Sequence, residues 1–375
     1  MDPTPTMHSE ASVADEESVD GTSEIVAQQK KSHRHLSRRG LLTAAGGTAV
    51  GAVAVGAVWY ATRAPTPPAQ VARLMPSNGI VQASTWTTLG TMGGPIASAH
   101  RSQPANLLMH NGSDAILIDS GDGAVDQIQK AGIDLAKVGT VILSHLHLDH
   151  TAGLYGVIGR RLQQHIPGEL RIYGPPGTGQ VVKEITASQQ YVADLLNTDS
   201  AAKNLTPTTV KVTEITDGAV FTAGAAKVSA TTNSHYGFKD GTADAARFQS
   251  LSYRFDLPGR SIVYTGDTGP SANVDRLAAG ADLLVSEIID ADQALADLRA
   301  SRADIPALAS HALLNHFAEQ HLTAQAVGDL ARRAGVKAVV LTHNPMNDTS
   351  LQKAGVTLAG LYQGPVAFAA DLDTY

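Results

Sequence analysis

The chain of 375 residues contains no cysteine. That absence excludes disulfides and thiolate metal ligands, so any metal must be held by His, Asp and Glu. An excess of basic charge is lacking too. The formal net charge is -7 at neutral pH, which argues against a surface built to grip nucleic acid. Charged residues are 17% of the chain and hydrophobic ones 43%, the balance of a globular protein with a sizeable core. The length leaves room for one large domain or two ordinary ones.

What is present in concentrated form is ligand chemistry. The stretch Ser144-His145-Leu146-His147-Leu148-Asp149-His150 follows an apolar run, Thr140 to Leu143, whose length and β-branched content predict a short buried strand. At the end of that strand, His145 and His147 sit two apart and leave an extended backbone on the same side. Asp149 and His150 come where the chain turns toward Thr151-Ala152-Gly153. One short loop therefore aims two groups of ligands at neighbouring points. Imidazole with carboxylate suits zinc, with iron or manganese as the next options.

The amino end reads differently. Residues 1–36 are polar and carry an acidic run, Asp15-Glu16-Glu17, then a basic one beginning at Lys30. Residues 37–64 hold Ser37-Arg38-Arg39-Gly40-Leu41-Leu42 and an uncharged stretch, 41–60, rich in Ala, Gly and Val. This predicts a twin-arginine export signal, with a plain membrane anchor as the alternative. Residues 65–80 begin Pro65-Thr66-Pro67-Pro68 and read as a linker into a folded domain over 81–375. The expected location is accordingly periplasmic or extracellular, and any membrane contact is through residues 41–60.

Within 81–375, strand signals alternate with helical ones. Residues 106–109 and 115–119 read as strands joined by a turn at 111–114, and 124–131 as a helix. Further strands are expected at 170–173, 210–215, 226–232, 250–255, 261–265, 283–286 and 337–341, with helices at 181–196 and 324–333. Thr323 is placed to cap the last helix and Gly335 to stop it. The recurrence carries more weight than any one element: His145, His235, Asp267, Glu287 and His343 each follow closely on an expected strand. A lone histidine after a strand is most often solvated or satisfied. Five such coincidences around one strong motif make a site.

This ordered set, His-x-His-x-Asp-His with a later His, a later Asp and a final His, resembles the metallo-β-lactamase fold superfamily. The resemblance runs from about Thr88 to Tyr375 and implies an α/β fold, a four-layer αββα sandwich with a dinuclear site at one rim. Carried over by motif, His145, His147 and His235 take the first metal. Asp149, His150 and His343 take the second, and Asp267 bridges both. The run Val263-Tyr264-Thr265-Gly266-Asp267-Thr268, the later Ser286-Glu287, and His321-Leu322-Thr323 ahead of a helix are similar to the ribonuclease Z and arylsulfatase-type branch. There, a His at the position of His321 contacts the anionic group being cleaved, and Glu287 matches a carboxylate thought to support it. The bland readings are an exposed histidine and a surface carboxylate. His311 and His316 take no assigned role.

The resemblance implies two divalent cations, zinc first, sharing a bridging hydroxide that attacks sulfur or phosphorus. Asp149 orients the nucleophile, and His321 stabilises the anion or protonates the leaving group. The expected function is an exported hydrolase of sulfate or phosphate esters, of arylsulfatase type. A ribonuclease Z-like or cyclic-nucleotide phosphodiesterase is the alternative. A metal- or partner-binding protein with an idle site is the non-enzymatic one. The expected partners are a small anionic ester and the twin-arginine export machinery, with a homodimer left open and nucleic acid not expected.

Overall fold

The inward-outward alternation of the strand residues builds two sheets that bury their facing sides against each other. The structure is a computed structural model describing residues 83–375, apart from 113–114, 197, 199–207, 240, 303 and 305. The twin-arginine segment, the linker, and half of the 111–114 turn lie outside the described residues. Among those described, no helix is long and apolar enough to cross a membrane.

The first sheet contains β1 (Ser84–Gly90), β2 (Ala105–His110), β3 (Ala115–Ser120), β4 (Val138–Ile142), β5 (Gly168–Gly174), β6 (Thr208–Glu214) and β14 (Asp373–Thr374), in the order β14-β1-β2-β3-β4-β5-β6. The second contains β7 (Val220–Ala223), β8 (Ala226–Thr232), β9 (Leu251–Leu257), β10 (Arg260–Tyr264), β11 (Leu283–Glu287), β12 (Val339–Thr342) and β13 (Val366–Phe368), in the order β13-β12-β11-β10-β9-β8-β7. The two orders give each sheet a parallel half and an antiparallel half.

Period-two alternation explains the layers. On β3, Ile116 and Ile118 point into the core between the sheets, while Ala115 and Leu117 point to the outer helices. On β10, Ile262 and Tyr264 point inward and Val263 outward. Because both faces of these strands are buried, they read as continuous apolar runs rather than half-polar ones. The inter-sheet core is filled by Trp86, Tyr253, Phe255 and Tyr264, with Trp86 in edge contact with Phe255 at 5.8 Å.

Helices α1 (Ala124–Lys130), α3 (Leu154–Gln163) and α4 (Thr178–Leu196) cover the first sheet, and α6 (Ala272–Ala278), α9 (Ala324–Ala334) and α10 (Asp348–Leu361) the second. The four-layer αββα sandwich expected from the resemblance is the architecture observed. Thr323 caps α9 by accepting from the Ala326 amide, and Gly335 ends it at a positive φ of 62°. Two shorter helices are α2 (Leu148–Thr151) and α5 (Ala243–Arg247), the first of them at the carboxyl end of β4. A pair not foreseen, α7 (Ala291–Ser301) and α8 (Ala307–Glu319), folds over the same end around its own small core of Ile289, Leu295 and Phe317.

Candidate metal centre

Parallel registry delivers the ligand-type residues to one edge. β3 pairs with β4 so that Ile118 lies opposite Ile142, and Asp119 thereby arrives beside Ser144 and His145. β11 pairs with β12 so that Glu287 lies opposite Thr342, one residue before His343. β10 runs parallel to β11 and ends just before Asp267. Carboxyl ends of parallel strands are where α/β sheets place their chemistry.

Two groups of donors converge there. His145, His147 and His235 form one, and Asp149, His150, Asp267 and His343 the other, with the offered atoms in each group within 4.8 Å of one another. In the first, His147 Nδ1 lies 3.1 Å from both His145 Nε2 and His235 Nε2. In the second, His343 Nε2 lies 3.3 Å from Asp149 and 3.2 Å from Asp267, and His150 Nε2 lies 3.3 Å from Asp267 Oδ1. Leu148–Thr151, expected as loop, is a helical turn, and it aims Asp149 and His150 at the second group while His147 precedes the turn in extended backbone.

The donor set fits a pair of divalent cations. A neutral imidazole has one donor and one acceptor, so three ring nitrogens meeting at 3.1 Å cannot all be satisfied by one another. His150 Nε2 and Asp267 Oδ1 are buried and, though 3.3 Å apart, neither makes a well-aligned hydrogen bond, which is costly unless a further group completes them. Nitrogen and carboxylate oxygen without thiolate is a donor set for zinc, iron or manganese.

The other ring nitrogens are held by the protein. His150 Nδ1 meets Asp119 Oδ2 at 2.8 Å, and His235 Nδ1 meets the Gln320 carbonyl at 3.0 Å. The Ser144 hydroxyl donates to Asp119 and lies 3.0 Å from His145 Nδ1. With Nδ1 occupied, Nε2 is left to face inward, the arrangement that orients metal-binding histidines. Asp119 also accepts from the Ser144 amide and from the Tyr264 hydroxyl, both at 2.7 Å. It is fully buried with a positive φ of 55°, and His343 likewise has φ 43°. Such backbone strain costs on the order of 1–3 kcal/mol per residue and persists where the surroundings enforce it.

Electrostatics divide the histidines. Burial pushes the His145 imidazole well below its ordinary range, and brings His235 down to about 3. Both are neutral, with a lone pair to offer. Burial would also push Asp267 up, but His343 and His150 beside it hold its carboxyl well below the usual range. His150 goes the other way: burial opposes its charge, and Asp267, Asp149 and Asp119 overcome it.

His321 and Glu287 are brought to the same site. His321 is 6% exposed and Glu287 1%, so neither is a surface group. Their side chains meet at 2.6 Å through His321 Nδ1 and Glu287 Oε2, and Glu287 Oε1 accepts from the Thr268 amide. Burial disfavours the imidazolium, yet the Glu287 carboxylate raises His321 to about 9. His316, given no role above, lines the cleft with His321 at a ring separation of 5.4 Å. His311 is exposed.

Four contributors are not legible in the sequence as site residues. Asp119 reads only as the end of a strand. Gly93 and Gly94, in what reads as an ordinary Gly-rich turn, lie against the site: a Cβ on Gly94 would come 2.4 Å from Asp149, whose carboxylate accepts the Gly94 amide at 3.1 Å. Tyr236 packs its ring 5.2 Å from His147 and its hydroxyl accepts from the Leu146 amide.

Residues 114–344 match the family described as "Beta-lactamase superfamily domain". The chain is 31% identical over 260 residues to ribonuclease Z of Mycobacterium avium, covering 68% of this chain and 84% of that one. It is 30% identical over 262 residues to ribonuclease Z of Mycolicibacterium gilvum, covering 68% and 82%. Among solved structures it is similar to a metallo-beta-lactamase fold protein of Bacillus subtilis, at a TM-score of 0.57 and 20% identity, covering 78% of this chain and 98% of that one. It is similar as well to the short form of human tRNase Z, at a TM-score of 0.54 and 22% identity, covering 78% and 98%.

Proposed function

The chain belongs to the beta-lactamase superfamily, on its ribonuclease Z branch, and from that membership we propose that this metal-dependent hydrolase cleaves phosphodiester bonds. The observation that carries the reading is the pair of donor clusters with His321, held from behind by Glu287, on the wall of the same cleft. Sulfate esters, the leading expectation from the sequence, give way to phosphate because the relatives at 30–31% identity are ribonucleases Z. The same relatives weigh against the expectation that nucleic acid is no partner.

In this reading His145, His147 and His235 would hold one cation and Asp149, His150 and His343 the second, with Asp267, which faces both groups, available to either. Two such cations supply Lewis acidity for an attacking water and for the charge that develops on phosphorus oxygens. The chain's own residues do the rest. Asp119, Ser144 and the Gln320 carbonyl fix the rings. Glu287 pins Nδ1 of His321 and keeps it protonated, which leaves Nε2–H to donate to the phosphoryl or leaving oxygen. Asp149, held by the Gly94 amide, orients the attacking water. The export signal at Arg38-Arg39 stays part of the reading, and lysine substitution of both arginines followed by cell fractionation tests it.

The decisive experiment is metal content of the purified chain beside turnover of bis-p-nitrophenyl phosphate and p-nitrophenyl sulfate. About two ions per chain with diester cleavage is the expected result. Sulfate cleavage without diester cleavage would restore the arylsulfatase reading, and two ions without either would leave only an idle site.

A further inference from the structure

The cleft over the two donor clusters has a volume of about 390 Å³, the size of a small-molecule site. Beyond the ligand-type residues its lining is mostly apolar: Pro95, Ala97, Leu298 of α7, Leu313 of α8, and Phe317, whose ring centre lies 6.5 Å from that of His321. Leu148, set between two ligand-type residues, stands 77% exposed at the mouth. The α7–α8 pair can present these leucines because it rests on its own core, apart from the sandwich.

Among the described lining residues there is no lysine or arginine, and the rim carries the carboxylate of Asp122. A nucleic acid brings a phosphate to each side of the scissile one, and proteins that bind such chains neutralise them with Lys and Arg. Here the cations and His321 can serve one phosphoryl group. Flanking phosphates would meet leucine, proline, an acid and, as polar partners, only the Gln103 amide and the His316 ring. We infer that the substrate of this site is a phosphodiester with a single negative charge and an apolar alkyl or aryl substituent, which Leu148, Leu298, Leu313 and Phe317 cover. The inference rests on the phosphodiesterase reading and narrows its substrate class.

The test uses the zinc-loaded full chain and two diesters with the same leaving group, hexyl p-nitrophenyl phosphate and methyl p-nitrophenyl phosphate. Their intrinsic reactivities are close, so the ratio of kcat/KM reports contacts to the alkyl group. That ratio is expected to exceed about tenfold, since burial of each methylene contributes, and kcat/KM for the hexyl diester is expected to change little between about 50 and 200 mM salt, where a polyanion's binding would fall steeply. Leu298→Ser and Leu313→Ser, both on half-buried positions, should each narrow the ratio. A ratio near one, or a preference for an oligoribonucleotide with steep salt dependence, would overturn the inference while leaving diester hydrolysis standing. No turnover of any diester by a chain carrying its metals would instead sink the phosphodiesterase reading, and this inference with it.

Discussion

Asp119 and His150, 31 residues apart, are joined by a hydrogen bond of 2.8 Å between a buried carboxylate and Nδ1 of a buried imidazole. The same carboxylate takes the Ser144 amide, the Ser144 hydroxyl and the Tyr264 hydroxyl. Removing it therefore frees a ring and orphans three donors at once. Asp119→Ala is expected to weaken metal binding by about 10–100-fold, the usual effect of losing such an outer partner. It should also cost several kcal/mol of stability, at about 1–3 kcal/mol for each buried donor left unpaired. Zinc titration against a competing chelator and thermal unfolding measure the two effects. Tyr264→Phe is the control, lowering the melting temperature with little change in metal affinity.

Asp267 faces both donor groups, at 3.3 Å from His150 and 3.8 Å from His145. Asp267→Ala should leave neither metal site loaded and hydrolysis lost, as read by elemental analysis alongside turnover. A variant that kept two metals and full activity would refute the assignment of the bridging position.

The His321–Glu287 pair predicts a pH dependence. Burial disfavours the charged form of His321, but Glu287 outweighs it and raises the ring to about 9; in the proposed reading the charged form would be the proton donor. The rate should thus hold below that ionisation and fall as pH rises through it. Divalent cations held by the neighbouring donors would disfavour the imidazolium and lower the limb. In a pH profile of kcat, His321→Ala should lower the plateau by about 10²–10⁴-fold, the ordinary contribution of a general acid, and erase the alkaline limb. Persistence of the limb in the variant would assign it to another group.

Gly94 tests the close approach at Asp149. Gly94→Ala places a methyl group 2.4 Å from the Asp149 carboxylate, which must move. Loss of activity with reduced metal content is expected. Gly139→Ala, where the added methyl meets nothing, should leave activity intact and stabilise the chain by about 0.4–1 kcal/mol. Chemical denaturation and turnover of the two variants separate site geometry from a general intolerance of alanine.

The fold and the convergence were legible to different depths. His145, His147, Asp149 and His150 declare themselves because their spacing is local and the strand feeding them is strongly apolar. His235, Asp267 and His343 each look like ordinary turn residues and gain meaning only from their recurrence after strands. The pairing of His321 with Glu287 came from resemblance alone, since 34 residues separate them and no local pattern links the two. Asp119 stayed hidden for the same reason: an Asp ending a strand has many fates, and β3–β4 registry decides this one. The α7–α8 pair was missed because its apolar residues serve a small separate core and a cleft wall, which blurs helical periodicity.

The outward anchoring of His145, His150, His235 and His321 through Nδ1 bears on how the centre is filled. Rotamer freedom of these rings is lost when the sandwich folds, not when an ion arrives. For these anchored rings, loading would then require dehydration of the ion but no reordering. Exchange between zinc, iron and manganese on such rings would accordingly be a contest of ligand preference and ion supply on a largely preset template.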